Sequence, residues 1–157
     1  MQVKWPNDVL LAGRKVAGVM AELQTIGQKV EALVLGIGVN VNVGQDMLDR
    51  ALGEAAWGAT SLKAVLGREI DRVAFAATLL ESLERRYDRF LGSEGKALMA
   101  EWKARSCLGQ RALVIDKERR IEGIAADIDE SGCLLVQLDD GALVRVFEGE
   151  MLPLTHR

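Results

Sequence analysis

Histidine is nearly missing from this sequence: His156, close to the C-terminus, is the single one. A Ser/His/Asp relay is therefore close to excluded, and a Cys/His zinc site has almost nothing to draw on. The two cysteines, Cys107 and Cys133, are far apart and carry no metal-ligand spacing, so no metal site is expected. They read as reduced, buried thiols of a cytoplasmic protein. No apolar run reaches the length of a membrane span, and the opening residues are not a charged-then-apolar leader. Excess positive charge is absent too. Lys and Arg number 20 against 23 Asp and Glu, a net charge of -3, which gives no sequence-independent grip on nucleic acid. There is no phosphate-binding P-loop, no serine-nucleophile motif, no metal-binding helix, no internal repeat and no low-complexity tract.

What is present is an ordinary globular composition of 157 residues, 49% hydrophobic and 27% charged. Such a chain builds one fair-sized core, or a medium core with a small satellite module. The densest patterning runs from Lys4 to Asn42. Pro6 biases Trp5 toward extended backbone, and Asn7-Asp8 is turn chemistry before the short apolar run Val9–Leu11. Ala12-Gly13-Arg14 reads as a tight turn and Lys15–Leu23 as a second strand, so the two pair as a hairpin. Val30–Val43 then reads as a long strand rich in β-branched residues. Side chains alternate along it, so Leu33, Leu35, Ile37, Val39 and Val41 face a core while Gly36, Gly38, Asn40 and Asn42 face the other way. Two same-face glycines weaken a strand unless something must approach its backbone. Two readings stand side by side: a flat ligand ring lying on the glycines with a polar end at Asn40, or a barrel bend with another strand packed there.

Gly44–Trp57 has little apolar periodicity and suits a loop able to cover a site. A short helix follows from Thr60 or Ser61 to Gly67, and a long one from about Asp71 to Leu91. The long helix carries one apolar stripe through Ile70, Val73, Ala77, Leu80, Leu83, Tyr87 and Phe90, and reads as scaffold. A further helix is expected from Ser93 to about Arg105. Beyond Ser106, short strands at 112–115, 121–128, 133–138 and 143–147, separated by turn signals, predict a small antiparallel barrel. The expected division is thus residues 1–105 and 106–157.

The row Gly36-Ile37-Gly38-Val39-Asn40-Val41 is not a dinucleotide fingerprint, because a valine holds the third glycine position and the row lies within a strand. Positioning and electrostatics are what remain. Arg14 and Lys15 are adjacent, so only one of them faces a given side. A lysine is a compact cation suited to neutralising a carboxylate or phosphate oxygen as charge develops. Taken singly, Lys15 suits a solvated strand, Asp8 a turn and Trp57 a core.

Taken together, these residues resemble the biotin protein ligase (biotin–acetyl-CoA-carboxylase ligase) family. The resemblance rests on Lys4-Trp5-Pro6-Asn7-Asp8, on Arg14-Lys15-Val16-Ala17-Gly18 with Glu22, and on Gly36-Ile37-Gly38-Val39-Asn40-Val41-Asn42. It implies an α+β fold: part of a class II synthetase-like mixed or antiparallel sheet with helices, followed by an SH3-like β-barrel. It also implies a two-step reaction in which biotin and ATP, with magnesium, give biotinyl-adenylate, and a lysine of a carboxylase's biotin carrier domain then takes the biotinyl group. The implied roles are Lys15 as electrostatic stabiliser, Asp8 as the group that helps receive the incoming lysine, and Gly18, Gly36 and Gly38 as the biotin slot. Asn40 and Trp57 would meet the adenine end, with Lys4, Trp5 and Asn7 in support.

In that family a Gly/Arg-rich adenylate loop and the segment holding biotin's ureido ring lie upstream of the Lys-Trp-Pro-Asn-Asp motif, which here opens at Lys4. The resemblance therefore implies the C-terminal portion of a ligase, with apolar sheet edge and face left bare, a possible homodimer, and weak or no activity by itself. Two other readings stay open. One is a non-catalytic module that docks a carrier domain or a complementary chain; the other is a lipoate ligase-type relative.

Overall fold

The computed structural model describes residues 1–53, 58–117 and 119–154. The chain divides into two compact units, one of Met1 with Asn7–Tyr87 and the other of Gln2–Pro6 with Asp88 onward. None of the described helices is long and apolar enough to cross a membrane.

The first unit is built on an antiparallel meander of β2 (Asp8–Leu11), β3 (Arg14–Ile26) and β4 (Lys29–Val39). β2 and β3 are joined by Ala12 and Gly13, both at positive φ, the conformation that lets a two-residue turn match the twist of its strands. The β2–β3 register slips between Val9 and Leu10, pairing Val9 with Ala17 but Leu10 with Lys15. The long strand expected to reach Val43 ends at Val39, because Asn40 onward turns its backbone to other partners: Leu62 N–H donates to Asn40 O and Lys63 N–H to Val41 O, both at 2.9 Å.

Helix α1 (Gln45–Leu52) occupies most of the stretch expected to be a loop. Its one buried side chain is Leu48, too sparse a periodicity to announce a helix in sequence. Helix α2 (Leu62–Leu66) is capped by Ser61, whose Oγ accepts from Ala64 N–H at 2.9 Å, and stops at Gly67 in the left-handed region. Helix α3 (Arg72–Leu91) is capped by Asp71, which accepts from the Val73 and Ala74 amides. The apolar stripe of α3 is not packed away: none of its residues is buried, and Val73, Leu80 and Tyr87 are exposed. The face of β4 expected to meet a core is open as well, with Leu33 54% and Leu35 45% exposed. The buried residues of this unit gather at the opposite end, around Leu10, Val16, Leu48, Ala59, Thr60 and Ser61.

The second unit takes in β1 (Gln2–Lys4), whose Val3 brackets the chain at 105–107 through Arg105 O and Cys107 N–H, and α4 (Gly95–Ala104). It is completed by β5 (Arg111–Asp116), β6 (Arg119–Ile128), β7 (Leu134–Gln137), β8 (Leu143–Val146) and β9 (Glu150–Pro153). These five form one antiparallel sheet in the order β8-β7-β6-β5-β9. Ala112, Val114, Ala125, Leu134, Val136, Val146 and Met151 are buried on it.

The expected SH3-like barrel is not there. Closure requires the two edge strands to hydrogen-bond at a shared tilt and shear. β8 and β9 are consecutive in the chain, yet β9 pairs with β5 at the far side, and among the described residues no ladder joins β8 to β9. Each is only four residues long, so the sheet stays open. β9 is not among the strands the sequence predicts; it holds Pro153, and proline is tolerated in a strand at an edge. It is an edge.

Candidate functional site

The register of the meander places Asp8 opposite Gly18, and Gly18 opposite Gly38. One row thus crosses three strands as carboxylate, bare backbone, bare backbone. In the neighbouring row Met20 faces Gly36. A cleft of about 700 Å³ opens over this patch, lined among others by Asn7, Lys15, Gly18, Gly36, Gly38 and Asn40.

Packing does not require Gly36 and Gly38 to be glycine. A Cβ built on Gly36 would come no nearer than 3.9 Å to any other atom, and one on Gly38 no nearer than 4.0 Å. Neither sits in the left-handed region. Of the two readings of the row, a strand packed against the glycines is therefore not what the described residues show. Elsewhere in the chain glycine is structurally forced. A Cβ on Gly123 would lie 2.3 Å from Gln137 O, and one on Gly149 2.4 Å from Ile115 O.

Lys15 lies at the β2–β3 register slip, the kind of irregularity that re-aims a side chain. It reaches over Gly18 to Asp8, its Nζ 2.5 Å from Asp8 Oδ1. The lysine side chain is half exposed while the carboxylate is 7% exposed, so a buried anion presents a cation to the cleft. A Cβ on Gly18 would meet Lys15 Cε at 3.4 Å, Lys15 Nζ at 3.5 Å and Asp8 Oδ1 at 3.6 Å. Glycine here leaves the ion pair open toward the cleft. Asn7 contributes its carbonyl to Val19 N–H at 2.9 Å, which fixes the backbone just before Asp8.

Asn40 lines the cleft at the end of β4. Its Nδ2 donates to Thr60 O at 3.0 Å and its backbone N–H to Val16 O at 2.9 Å. Asn42, expected to continue the same face, instead binds the Ile70 backbone twice, donating to Ile70 O at 2.8 Å and accepting from Ile70 N–H at 2.9 Å. Thr60 and Ser61 are fully buried, where the sequence points only to a helix start. Their one sequence signal is a pair of hydroxyl residues just ahead of an apolar helix. Met20 is a further cleft residue that strand alternation with Gly18 would have found.

Lys4 and Trp5 fold with the second unit. Lys4 is 6% exposed, with Nζ 3.8 Å from Glu150 Oε1. Trp5 is buried, joined to Pro6 by a cis peptide bond, and donates its indole N–H to Gly132 O at 3.0 Å. Neither lines the cleft. Trp57 lies outside the described residues. Among the described residues no group of three carboxylate, imidazole or thiol side chains is placed to hold a metal ion.

Two family models match the chain: that of the biotin/lipoate A/B protein ligase family over residues 1–40, and that of the biotin protein ligase C terminal domain over residues 107–152. The bifunctional ligase/repressor BirA of Bacillus spizizenii is 30% identical over 140 residues, covering 88% of this chain and 42% of that protein. The biotin–[acetyl-CoA-carboxylase] ligase of Mycobacterium tuberculosis is 34% identical over 154 residues, 97% of this chain and 53% of that one. The chain thus spans about half the length of the curated relatives it matches. Among solved structures, the apo biotin protein ligase of Aquifex aeolicus superposes with a TM-score of 0.77 at 24% identity, covering 98% of this chain and 65% of that one, a likeness of fold. The Aquifex enzyme in complex with biotin and ATP gives a TM-score of 0.72 at 26% identity, covering 96% and 60%.

Proposed function

The chain belongs to the biotin protein ligase family, and from that premise we propose that its cleft is the floor of a biotinyl-adenylate site serving ATP-dependent biotinylation of a carrier-protein lysine. One observation carries the reading: Gly36 and Gly38 are bare where no packing contact calls for bareness, beside a lysine held over the same cleft.

In the first step a carboxylate oxygen of biotin forms a bond to the α-phosphorus of ATP, and the bond from that phosphorus to the bridging oxygen breaks, releasing pyrophosphate. Lys15 Nζ neutralises charge on the phosphate oxygens as it builds, a role of placement rather than of covalent chemistry. In the second step an amine of the carrier domain attacks the acyl carbon and AMP leaves. Asp8, paired with Lys15, helps receive the incoming lysine, whose ammonium group gives up one proton to solvent before the neutral amine attacks and a second as the adduct collapses to the amide. Gly18, Gly36 and Gly38 give biotin's flat ring system access to the backbone. Asn40, with its Nδ2 turned to Thr60 O, stands at the nucleotide end. Magnesium belongs to this reading as part of the nucleotide substrate, carried on the phosphates of ATP.

Biotin is favoured over lipoate because residues 107–152 match the biotin ligase C-terminal domain, whereas the model matching 1–40 spans both ligase types. A second reading, a module that docks a carrier domain or another chain, draws on the exposed apolar residues of β3, β4 and α3, among them Leu23, Ile26, Leu33 and Leu80. Calorimetry with biotin and MgATP separates the two. The ligase reading requires saturable biotin binding, and biotin-dependent exchange of pyrophosphate into ATP, weak in this portion of a ligase, adds to it. Carrier-domain binding with neither of those would leave the docking module.

A further inference from the structure

We propose that Gln45 is a positioning residue for Lys15, acting through the buried Ala59–Thr60 dipeptide; the catalytic consequence rests on the ligase reading above. The lysine's main chain is held from outside its own hairpin. Ala59 forms a parallel bridge to Lys15, and Thr60 N–H donates to Lys15 O at 2.8 Å. This grip falls at the register slip between β2 and β3, where the ladder by itself specifies the lysine's direction least.

The gripping dipeptide is in turn held by polar side chains from two other elements. Gln45, the first residue of α1, donates Nε2 to Ala59 O at 3.3 Å and accepts at Oε1 from Thr60 Oγ1 at 3.4 Å. Both ends of its amide are thereby used on one dipeptide, which fixes its orientation. The same Nε2 also reaches Asp49 Oδ1 at 2.9 Å. Asn40 Nδ2 closes the set on Thr60 O. Ala59 is 8% and Thr60 0% exposed. A buried polar cluster of this kind defines geometry more than it adds net stability. What the cluster defines is the path of residues 59–60, and those residues fix the lysine that faces the cleft.

The test uses Gln45→Ala and Gln45→Glu in the full chain, with two readouts. The first is amide hydrogen exchange, which needs no turnover. Loss of Gln45 should speed exchange at Thr60 N–H while leaving the β3–β4 ladder amides of Met20 and Gly36 as protected as in the wild type. The second is steady-state kinetics of biotin-dependent pyrophosphate exchange. A misplaced Lys15 should lower kcat by about tenfold or more with KM for biotin and ATP nearly unchanged, as expected when positioning alone is lost. Gln45→Glu should be at least as damaging as Gln45→Ala, since it sets a carboxylate oxygen against Ala59 O. Unchanged Thr60 exchange in both variants would overturn the proposal, as would a rise in KM at constant kcat, which would make Gln45 a ligand contact. Altered Thr60 exchange in a chain whose wild type shows no pyrophosphate exchange would support the structural link, and absence of biotin binding by calorimetry would then sink the ligase reading instead.

Discussion

Lys15 and Asp8 meet across a glycine. The lysine Nζ lies 2.5 Å from a nearly buried carboxylate oxygen, and Gly18, directly opposite Asp8 in the β2–β3 register, leaves the pair uncovered on the cleft side. Replacing Lys15 should therefore separate chemistry from folding. Lys15→Arg keeps a positive charge for Asp8 but offers a planar fork where a point charge is required. It should melt cooperatively near the wild-type temperature while pyrophosphate exchange falls by roughly a hundredfold, the order lost when one transition-state donor is removed. Lys15→Ala should abolish exchange and also cost about 1–3 kcal/mol, because it strips a partner from a buried carboxylate. Retained exchange in either variant would remove Lys15 from the mechanism.

The second sheet contains glycines of the opposite kind. Gly123→Ala would drive a methyl to 2.3 Å from Gln137 O, and Gly149→Ala to 2.4 Å from Ile115 O at a φ of 137°. Both contacts are with backbone, which cannot move without breaking the β6–β7 or β5–β9 pairing. Each substitution should destabilise by roughly 2 kcal/mol or more, read as a lower midpoint in urea at unchanged slope. A midpoint within error of the wild type would mean the sheet is looser than described.

Ser61 joins two elements with one hydroxyl. Its Oγ donates to Val43 O at 2.5 Å and accepts from Ala64 N–H at 2.9 Å. Ser61→Ala leaves a buried carbonyl and the α2 cap unsatisfied and should cost about 1–2 kcal/mol. Ser61→Thr, which keeps the hydroxyl, should recover part of that loss in thermal melts. Equal melting of the alanine variant and the wild type would contradict the cap.

Acid should weaken three ion pairs of the second unit. The Arg145 guanidinium holds the Asp129 carboxyl below its ordinary range, helped by the Cys133 and Ser131 amides, and Arg111 does the same for Asp139. Lys103, assisted by the Ile128 amide, lowers Asp127. A depressed folded-state pKa means stability present above the unfolded value, about 3.9 for aspartate, and lost as pH falls through the folded one. Melting temperature should be flat with respect to these groups above about pH 5 and decline below about pH 4. Asp127 and Asp139 are exposed and Asp129 is partly so, so the effect should shrink in high salt. Asp129→Asn should flatten part of that acid limb; an unchanged limb would assign it to other groups.

How far the sequence led can be judged from β4. Its strand character, its glycine row and the hairpin bearing Lys15 were legible because strand alternation is a local property. Its exposed face was not, since Leu33 and Leu35 carry the apolar pattern of a core without stating what covers them. The same holds for the bare stripe of α3. Helix ends at Ser61, Gly67 and Asp71 were legible from capping chemistry, whereas α1, with Leu48 alone buried, lacks the periodicity that would reveal it. The open second sheet eluded prediction for another reason: short strands and turn glycines are common to open and closed sheets, and which edges meet is a non-local fact. In the site, Lys15, Asp8, Gly18, Gly36, Gly38 and Asn40 came from pattern and resemblance. The Gln45–Thr60 link did not, because long-range polar contacts leave no periodic trace.

The glycine row gives the most direct measurement. Gly36→Val and Gly38→Val place β-branched side chains at positions where an added Cβ would lie no nearer than 3.9 Å to an atom outside its chain neighbours, so melting temperature should hold or rise, glycine being the poorer strand residue. The same side chains fill the floor of the cleft, so binding of biotin in the presence of MgATP, followed by calorimetry against the wild-type chain, should disappear. Stable variants that no longer bind are the predicted result. Stable variants that bind as well as the wild type, or a wild type that binds nothing, would contradict the assignment of the bare strand to a ligand.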